Sequence, residues 1–334
     1  MPRVFASHAL PASPRRASTA GHDYGGTAEP DWRAIDWPAL LRTHRFADTE
    51  VNYLDVMPTD PAARDRAPVV FVHGLGGQWQ NWIQNIPRAA LERRTVALDL
   101  PGFGLSPLPD ERITISGYAR VVEALCHDLG LGSVAIVGNS MGGFIGAEVA
   151  IRHPQRVERL LLVSAAGITT ANLFRAPVLT LGRAATALTA YTAARHRAMA
   201  RRPISRHMAL ALVARHPSRL APDLAFEGLI KGAGKPGFDS ALRACLEYDF
   251  RERLPEMACP TLIVWGENDA VLPVKDADEF ERLIPDARKL VMRDTGHVPQ
   301  LERPGAFNDS LMDFLAETGP AEALEPVPGA TQVA

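Results

Sequence analysis

The segment from Ser133 to His153 constrains the fold of this 334-residue chain more than any other. Ser133 to Val137 reads as a buried β-strand, and Phe144 to His153 carries Ile145, Val149 and Ile151 at helix-compatible spacing. Only Gly138-Asn139-Ser140-Met141-Gly142-Gly143 lies between them. A chain that passes from strand to helix over so few residues turns sharply, and the neighbouring side chains must be small. The glycines meet that demand. Ser140, at the apex, projects its hydroxyl away from the sheet in the G-x-S-x-G arrangement of a nucleophilic serine.

Short β-branched runs alternate with longer helical patterns along the chain, which is the signature of a parallel sheet covered by helices. Phe46 to Asp55 alternates apolar and polar residues as an antiparallel edge pair does. Val69 to Val72, Thr95 to Leu98, Val134 to Val137, Leu160 to Val163, Thr261 to Trp265 and Lys289 to Met292 read as buried strands, making an α/β fold with a mostly parallel eight-stranded sheet flanked by helices. From about Thr169 to Tyr248 the pattern is helical, rich in Ala, Leu and Arg, and broken by Pro177, Pro203, Pro217, Pro222 and the glycines from 232 to 237. This block reads as an inserted helical cap. The expected organisation is a disordered extension over 1–30, a core over 31–168, the cap over 169–250, the rest of the core over 251–317, and a disordered tail over 318–334.

The hydrophobic fraction of 46% and the net charge of −2 describe an ordinary globular chain with no electrostatic footprint for nucleic acid. No apolar run is long enough to span a bilayer, and nothing after Arg15-Arg16 could act as the apolar core of an export signal. A cytoplasmic protein is expected. Cys126, Cys245 and Cys259 lack metal-ligand spacing and read as buried free thiols.

A serine hydroxyl is a weak nucleophile, so Ser140 needs a base to take its proton and a third group to orient that base. His297, in Asp294-Thr295-Gly296-His297-Val298-Pro299, follows the last buried run and returns to the carboxyl edge of the sheet, which makes it the expected base. Asp269 ends Trp265-Gly266-Glu267-Asn268-Asp269 after the preceding strand and is the expected acid, with Glu267 the alternative. Backbone N–H groups would stabilise the oxyanion, each typically worth about 3 to 4 kcal/mol. The amide of Met141, at a helix N-terminus, is one donor. Leu75, in His73-Gly74-Leu75-Gly76-Gly77, is the other, and Gly74, Gly76 and Asn139 are expected to border the substrate.

These elements resemble the α/β-hydrolase superfamily over roughly residues 45 to 315. The likeness rests on His73 to Gly77, Asp99-Leu100-Pro101-Gly102-Phe103-Gly104-Leu105-Ser106, the Ser140 elbow, Gly266 to Asp269 and Gly296-His297, in family order. It implies that Asp99 to Ser106 is a structural loop near the pocket. A serine in the elbow separates the chain from the dehalogenases and epoxide hydrolases of that superfamily, which use aspartate there. The elbow is also similar to that of the meta-cleavage-product hydrolases, which cleave carbon-carbon bonds. Those enzymes usually carry proline in the oxyanion loop and tryptophan after the histidine, where this chain has Gly77-Gln78-Trp79 and Val298.

Hydrolysis of a small or medium lipophilic carboxylic ester is therefore the leading expectation, with no metal or organic cofactor and a small-molecule acyl substrate as partner. Carbon-carbon hydrolysis, a cofactor-free haloperoxidase or perhydrolase, an acyltransferase, and a non-catalytic ligand-binding protein are the alternatives. Within the cap, Leu173, Phe174, Val178, Leu179, Leu181 and Leu212 are candidate apolar lining. Arg197, Arg201, Arg202 and Arg206 are a candidate dock for a carboxylate. Sequence leaves the oligomeric state open.

Overall fold

The β-branched runs form one sheet in a computed structural model that describes residues 23–46, 49–58, 60–172, 196–317 and 330–331. Its strands are β1 (Leu41–Arg45), β2 (Glu50–Val56), β3 (Val69–Val72), β4 (Thr95–Leu98), β5 (Val134–Asn139), β6 (Val157–Val163), β7 (Thr261–Gly266) and β8 (Ala287–Met292), in the spatial order β1-β2-β4-β3-β5-β6-β7-β8. β2 runs antiparallel to β1 and β4, and every pairing from β4 to β8 is parallel. The result is the expected eight-stranded, mostly parallel sheet. A two-residue β9 (Ala330–Thr331) pairs antiparallel with β8, so part of the expected tail lies on the sheet edge. The edge hairpin spans 41–56 rather than 46–55, because Phe46 and Thr49 close its turn through a backbone hydrogen bond.

The strands are apolar throughout because helices cover both faces of the sheet. On β3, Val69 and Phe71 pack with Trp82, Ile86 and Phe307, while Val70 and Val72 face the opposite layer with Val122, Phe144 and Phe280. This period-two division makes β3 wholly buried. Burying one such large side chain contributes roughly 1.5 to 3 kcal/mol, which fixes the register as well as the layering.

Residues 23–30, expected in the extension, instead belong to the core. Tyr24 and Ala28 are buried, Ala28 N–H donates to Gln84 Oε1, and Gly25 N–H donates to the Glu302 carbonyl. Residues 1–22 lie outside the described residues.

Between β6 and β7 the described residues of the inserted block are helical and include no strand: His196–Arg201, Pro203–Leu210, Pro222–Ala225, a π-turn over Phe226–Ile230, and Phe238–Glu247. Pro203, Pro217 and Pro222 open helical segments rather than interrupt them, because the first helical position has no intrahelical partner for an N–H. The block rests on the loops at the carboxyl edge of the sheet. Asn81 Nδ2–H donates to the Gly228 carbonyl, Gln78 Nε2–H to Glu227, and Gly237 N–H to Gly102. Leu173, Phe174, Val178, Leu179 and Leu181 fall outside the described residues. No helix among the described residues is long and apolar enough to cross a membrane.

Candidate active site

Ser140 adopts φ 55° and ψ −117°, between β5 and the helix Met141–Arg152. Such backbone is costly for a residue with a side chain and persists only where its surroundings over-determine it. The surroundings are tight. A Cβ on Gly138 would lie 2.3 Å from the Gly142 carbonyl oxygen, and one on Gly142 would lie 2.1 Å from that of Val72. Ser140 itself is only half-buried, while every residue from Val134 to Asn139 is buried. The turn thus lifts one hydroxyl out of an enclosed strand.

β7 and β8 deliver the other two candidates to the same edge. His297 Nδ1 lies 2.7 Å from Asp269 Oδ2, and both side chains are buried. The other oxygen of Asp269 accepts from the Val271 and Leu272 amides at 2.8 and 2.9 Å. With a carboxylate facing it, Nδ1 carries the proton and Nε2 presents its lone pair. The backbone of His297 is engaged too: its N–H donates to the Val213 carbonyl at 2.8 Å, and its carbonyl accepts from Asn139 Nδ2 at 3.2 Å. Nε2 alone lacks a hydrogen-bond partner among the described residues. No hydrogen bond joins it to Ser140 Oγ in this structure. Glu267, the alternative acid, instead accepts from the Asp294 amide.

The loop after β3 closes over the serine, where a Cβ on Gly74 would stand 3.1 Å from Ser140 Cβ. His73 governs this loop. Leu100 N–H donates to its Nε2 at 3.0 Å, so Nδ1 bears the proton and donates to the Gly74 carbonyl at 2.7 Å. Burial pushes the pKa of His73 down to about 4, which keeps the ring neutral. Gly77 N–H also donates to the Gly74 carbonyl, at 3.0 Å. In a trans peptide the carbonyl and the following N–H point in opposite directions, so anchoring Gly74 C=O turns Leu75 N–H away from these donors. Neither the Leu75 nor the Met141 amide has a hydrogen-bond partner among the described residues. Sequence reasoning assigned His73 no role, although its place before Gly74 was the available signal.

Asp99 organises the next loop, accepting from Asn52 Nδ2 and from the Trp79 and Leu105 amides at 2.8 to 3.0 Å. Burial raises its pKa, against the lowering effect of these donors. Its oxygens are occupied by protein groups, in keeping with a structural role for 99–106.

Three expectations need correction. The side-chain N–H groups of Asn139 are engaged within the protein rather than available to a substrate, because Nδ2 donates to the Val163 and His297 carbonyls and the residue is buried. Arg206 is not an available positive charge: it is buried, and its guanidinium donates to the carbonyls of Ala200, Pro217 and Ser218. Leu212 is 67% exposed and lines no interior surface. Arg197, Arg201 and Arg202 do face solvent, with the Arg197 guanidinium 4.6 Å from the centre of the Phe226 ring. All three cysteines are buried free thiols, pushed up by burial to about 12 for Cys126 and Cys245 and about 11 for Cys259.

A nucleophile-elbow serine on a mostly parallel sheet, with an aspartate-paired histidine at the same carboxyl edge, defines an α/β-hydrolase architecture. The model of the alpha/beta hydrolase fold family matches residues 67–304, and the chain belongs to that family. It is 33% identical over 260 residues to the dihydrolipoyllysine-residue acetyltransferase component of the acetoin cleaving system from Pseudomonas putida, an alignment covering 74% of this chain and 63% of that protein. The chain therefore spans under two thirds of that relative's length. It is 29% identical to the 2-hydroxy-6-oxo-2,4-heptadienoate hydrolase of Pseudomonas putida, with 75% and 89% covered. A solved membrane phospholipase A, described as a bacterial virulence factor, superposes with a TM-score of 0.62 at 26% identity, covering 85% of this chain and 88% of that one.

Proposed function

We propose that the protein is a serine hydrolase that cleaves a carboxylic ester of a small or medium lipophilic substrate through an acyl-enzyme on Ser140. The observation that carries this reading is the pairing of His297 Nδ1 with buried Asp269, which leaves Nε2 unengaged on the edge that presents Ser140. Ser140 Oγ attacks the carbonyl carbon as His297 Nε2 takes its proton, and His297 then protonates the departing alkoxide. Water, deprotonated by the same nitrogen, attacks the acyl-enzyme and releases the acid. Asp269 stabilises the imidazolium that forms at each stage. The unpartnered amides of Leu75 and Met141 receive the oxyanion, aided at Met141 by the helix dipole. The helical block between β6 and β7 serves as a cap that shapes the acyl pocket.

A second reading, carbon-carbon hydrolysis of a dienoate, draws on the likeness to the heptadienoate hydrolase. Val298 after the histidine and the absence of proline from the loop at 73–79 set this chain apart from the pattern typical of such enzymes. Turnover of aryl esters of increasing acyl length, measured beside one meta-cleavage diketo acid, separates the two. The ester reading expects kcat/KM for a short or medium ester to exceed that for the diketo acid by at least tenfold. The reverse ratio overturns it.

A further inference from the structure

A buried carboxylate with no part in the mechanism above lies five residues beyond His297. Glu302 is fully buried, and four donors converge on its side chain. Gly296 N–H reaches Oε1 and Oε2 at 2.9 and 3.0 Å, and Val298 N–H reaches Oε1 at 3.3 Å. Arg215 N–H and the Tyr24 hydroxyl donate to Oε2 at 2.7 and 2.5 Å. These donors come from three separate parts of the chain. Gly296 and Val298 flank His297, Arg215 belongs to the block between β6 and β7, and Tyr24 lies at the beginning of the described residues. Tyr24 in turn accepts from the His216 amide at 2.7 Å.

We propose that Glu302 is a positioning residue for His297, a carboxylate that clamps the peptide N–H groups on both sides of the base and ties the base loop to the capping block. A carboxylate offers about four acceptor sites, and four donors fill them here. The set suits the ionised acid. Burial raises its pKa above the usual carboxylate range, and the hydrogen-bond donors oppose that rise. The site is also sterically exacting, since a Cβ on Gly296 would stand 2.8 Å from the Arg215 nitrogen and 2.9 Å from Glu302 Oε1. Adjacent contacts run the same way: His297 N–H is held by the Val213 carbonyl, two residues before Arg215. The capping segment 213–215 and the base loop therefore share Glu302 as a common anchor, leaving the imidazole little freedom to swing away from Asp269.

The proposal rests on the assignment of His297 as base, and its test includes a readout that needs no substrate. Glu302→Gln keeps the shape but sets an NH2 group against the converging donors. Tyr24→Phe removes one donor that does not touch His297. For Glu302→Gln, kcat for ester hydrolysis should fall at least tenfold with KM within twofold. The far-downfield proton resonance of His297 Nδ1–H should broaden or disappear, while the far-ultraviolet circular dichroism stays unchanged. Tyr24→Phe should shift the same two readouts in the same direction, with a two- to fivefold loss in kcat, and it decides the matter if Glu302→Gln does not fold. Unchanged kcat and an unchanged resonance in a folded variant, whatever its thermal midpoint, would overturn the proposal. If the wild type turns over no ester, the reaction assignment fails and the resonance alone decides the role of Glu302.

Discussion

Asn139 Nδ2 donates to the His297 carbonyl at 3.2 Å, so the residue beside Ser140 holds the peptide of His297. The same nitrogen donates to Val163 at 3.0 Å, binding the ends of β5 and β6 and the loop after β8 to one side chain. Sequence separates Asn139 and His297 by 158 positions, and the parallel sheet brings them together.

Replacing Asn139 with Ala removes both bonds and leaves the His297 carbonyl unpaired. A buried acceptor left without its donor costs about 1 to 3 kcal/mol. Chemical denaturation should show a loss of that size. Steady-state kinetics should show a decrease of roughly tenfold in kcat, as expected when a base loses its alignment. A variant with wild-type kcat would remove Asn139 from the alignment of the base.

Asp269→Asn preserves volume but offers an amide N–H where the carboxylate accepted. The favoured imidazole tautomer then carries its proton on Nε2, the nitrogen that accepts from Ser140 in the proposed reaction. In the serine-protease triad this change lowers kcat by about 10⁴, and a loss of about 10³ to 10⁴ is expected here. Because the Val271 and Leu272 amides can still donate to the remaining oxygen, the thermal midpoint should move by only a few degrees. Single-turnover acylation measures the kinetic effect, and a loss below tenfold would argue against Asp269 as the orienting acid.

His73 gives the fold a calculable acid sensitivity. Its pKa is about 4 in the folded protein against an ordinary value of 6.5, so between these values the unfolded chain binds more protons. Stability is fully present above pH 6.5 and falls as pH drops toward 4, by about 3 kcal/mol for a difference of this size. His73→Asn keeps an N–H donor that can reach the Gly74 carbonyl but does not titrate. Urea unfolding from pH 7 to 4 should show a shallower decline for the variant. Parallel curves would show that His73 does not titrate between these states.

The strands were legible because buried β-branched runs leave a pattern that survives without context. Val69 to Val72 and Thr95 to Leu98 match their observed bounds to the residue. The order of Ser140, Asp269 and His297 was legible because each follows a strand, and strand ends in a parallel sheet share one edge. Other roles were hidden because they depend on hydrogen bonds to distant backbone, which leave no periodicity in sequence. Arg206 looks like a surface cation until its guanidinium is seen bonded to three carbonyls, and Tyr24 lies in a segment whose composition suggests disorder. Glu302 and His73 belong to the same group: apart from the Tyr24 hydroxyl on Glu302, their partners are backbone amides and a carbonyl, and any residue type supplies those.

The central claim is that Ser140 is the acyl-forming nucleophile, and covalent labelling with a fluorophosphonate tests it most directly. Intact-protein and peptide mass spectrometry of the wild type should find one adduct per chain on the peptide containing Ser140. Ser140→Ala should remain unlabelled while keeping the wild-type circular dichroism. An adduct of equal stoichiometry on folded Ser140→Ala would contradict the account.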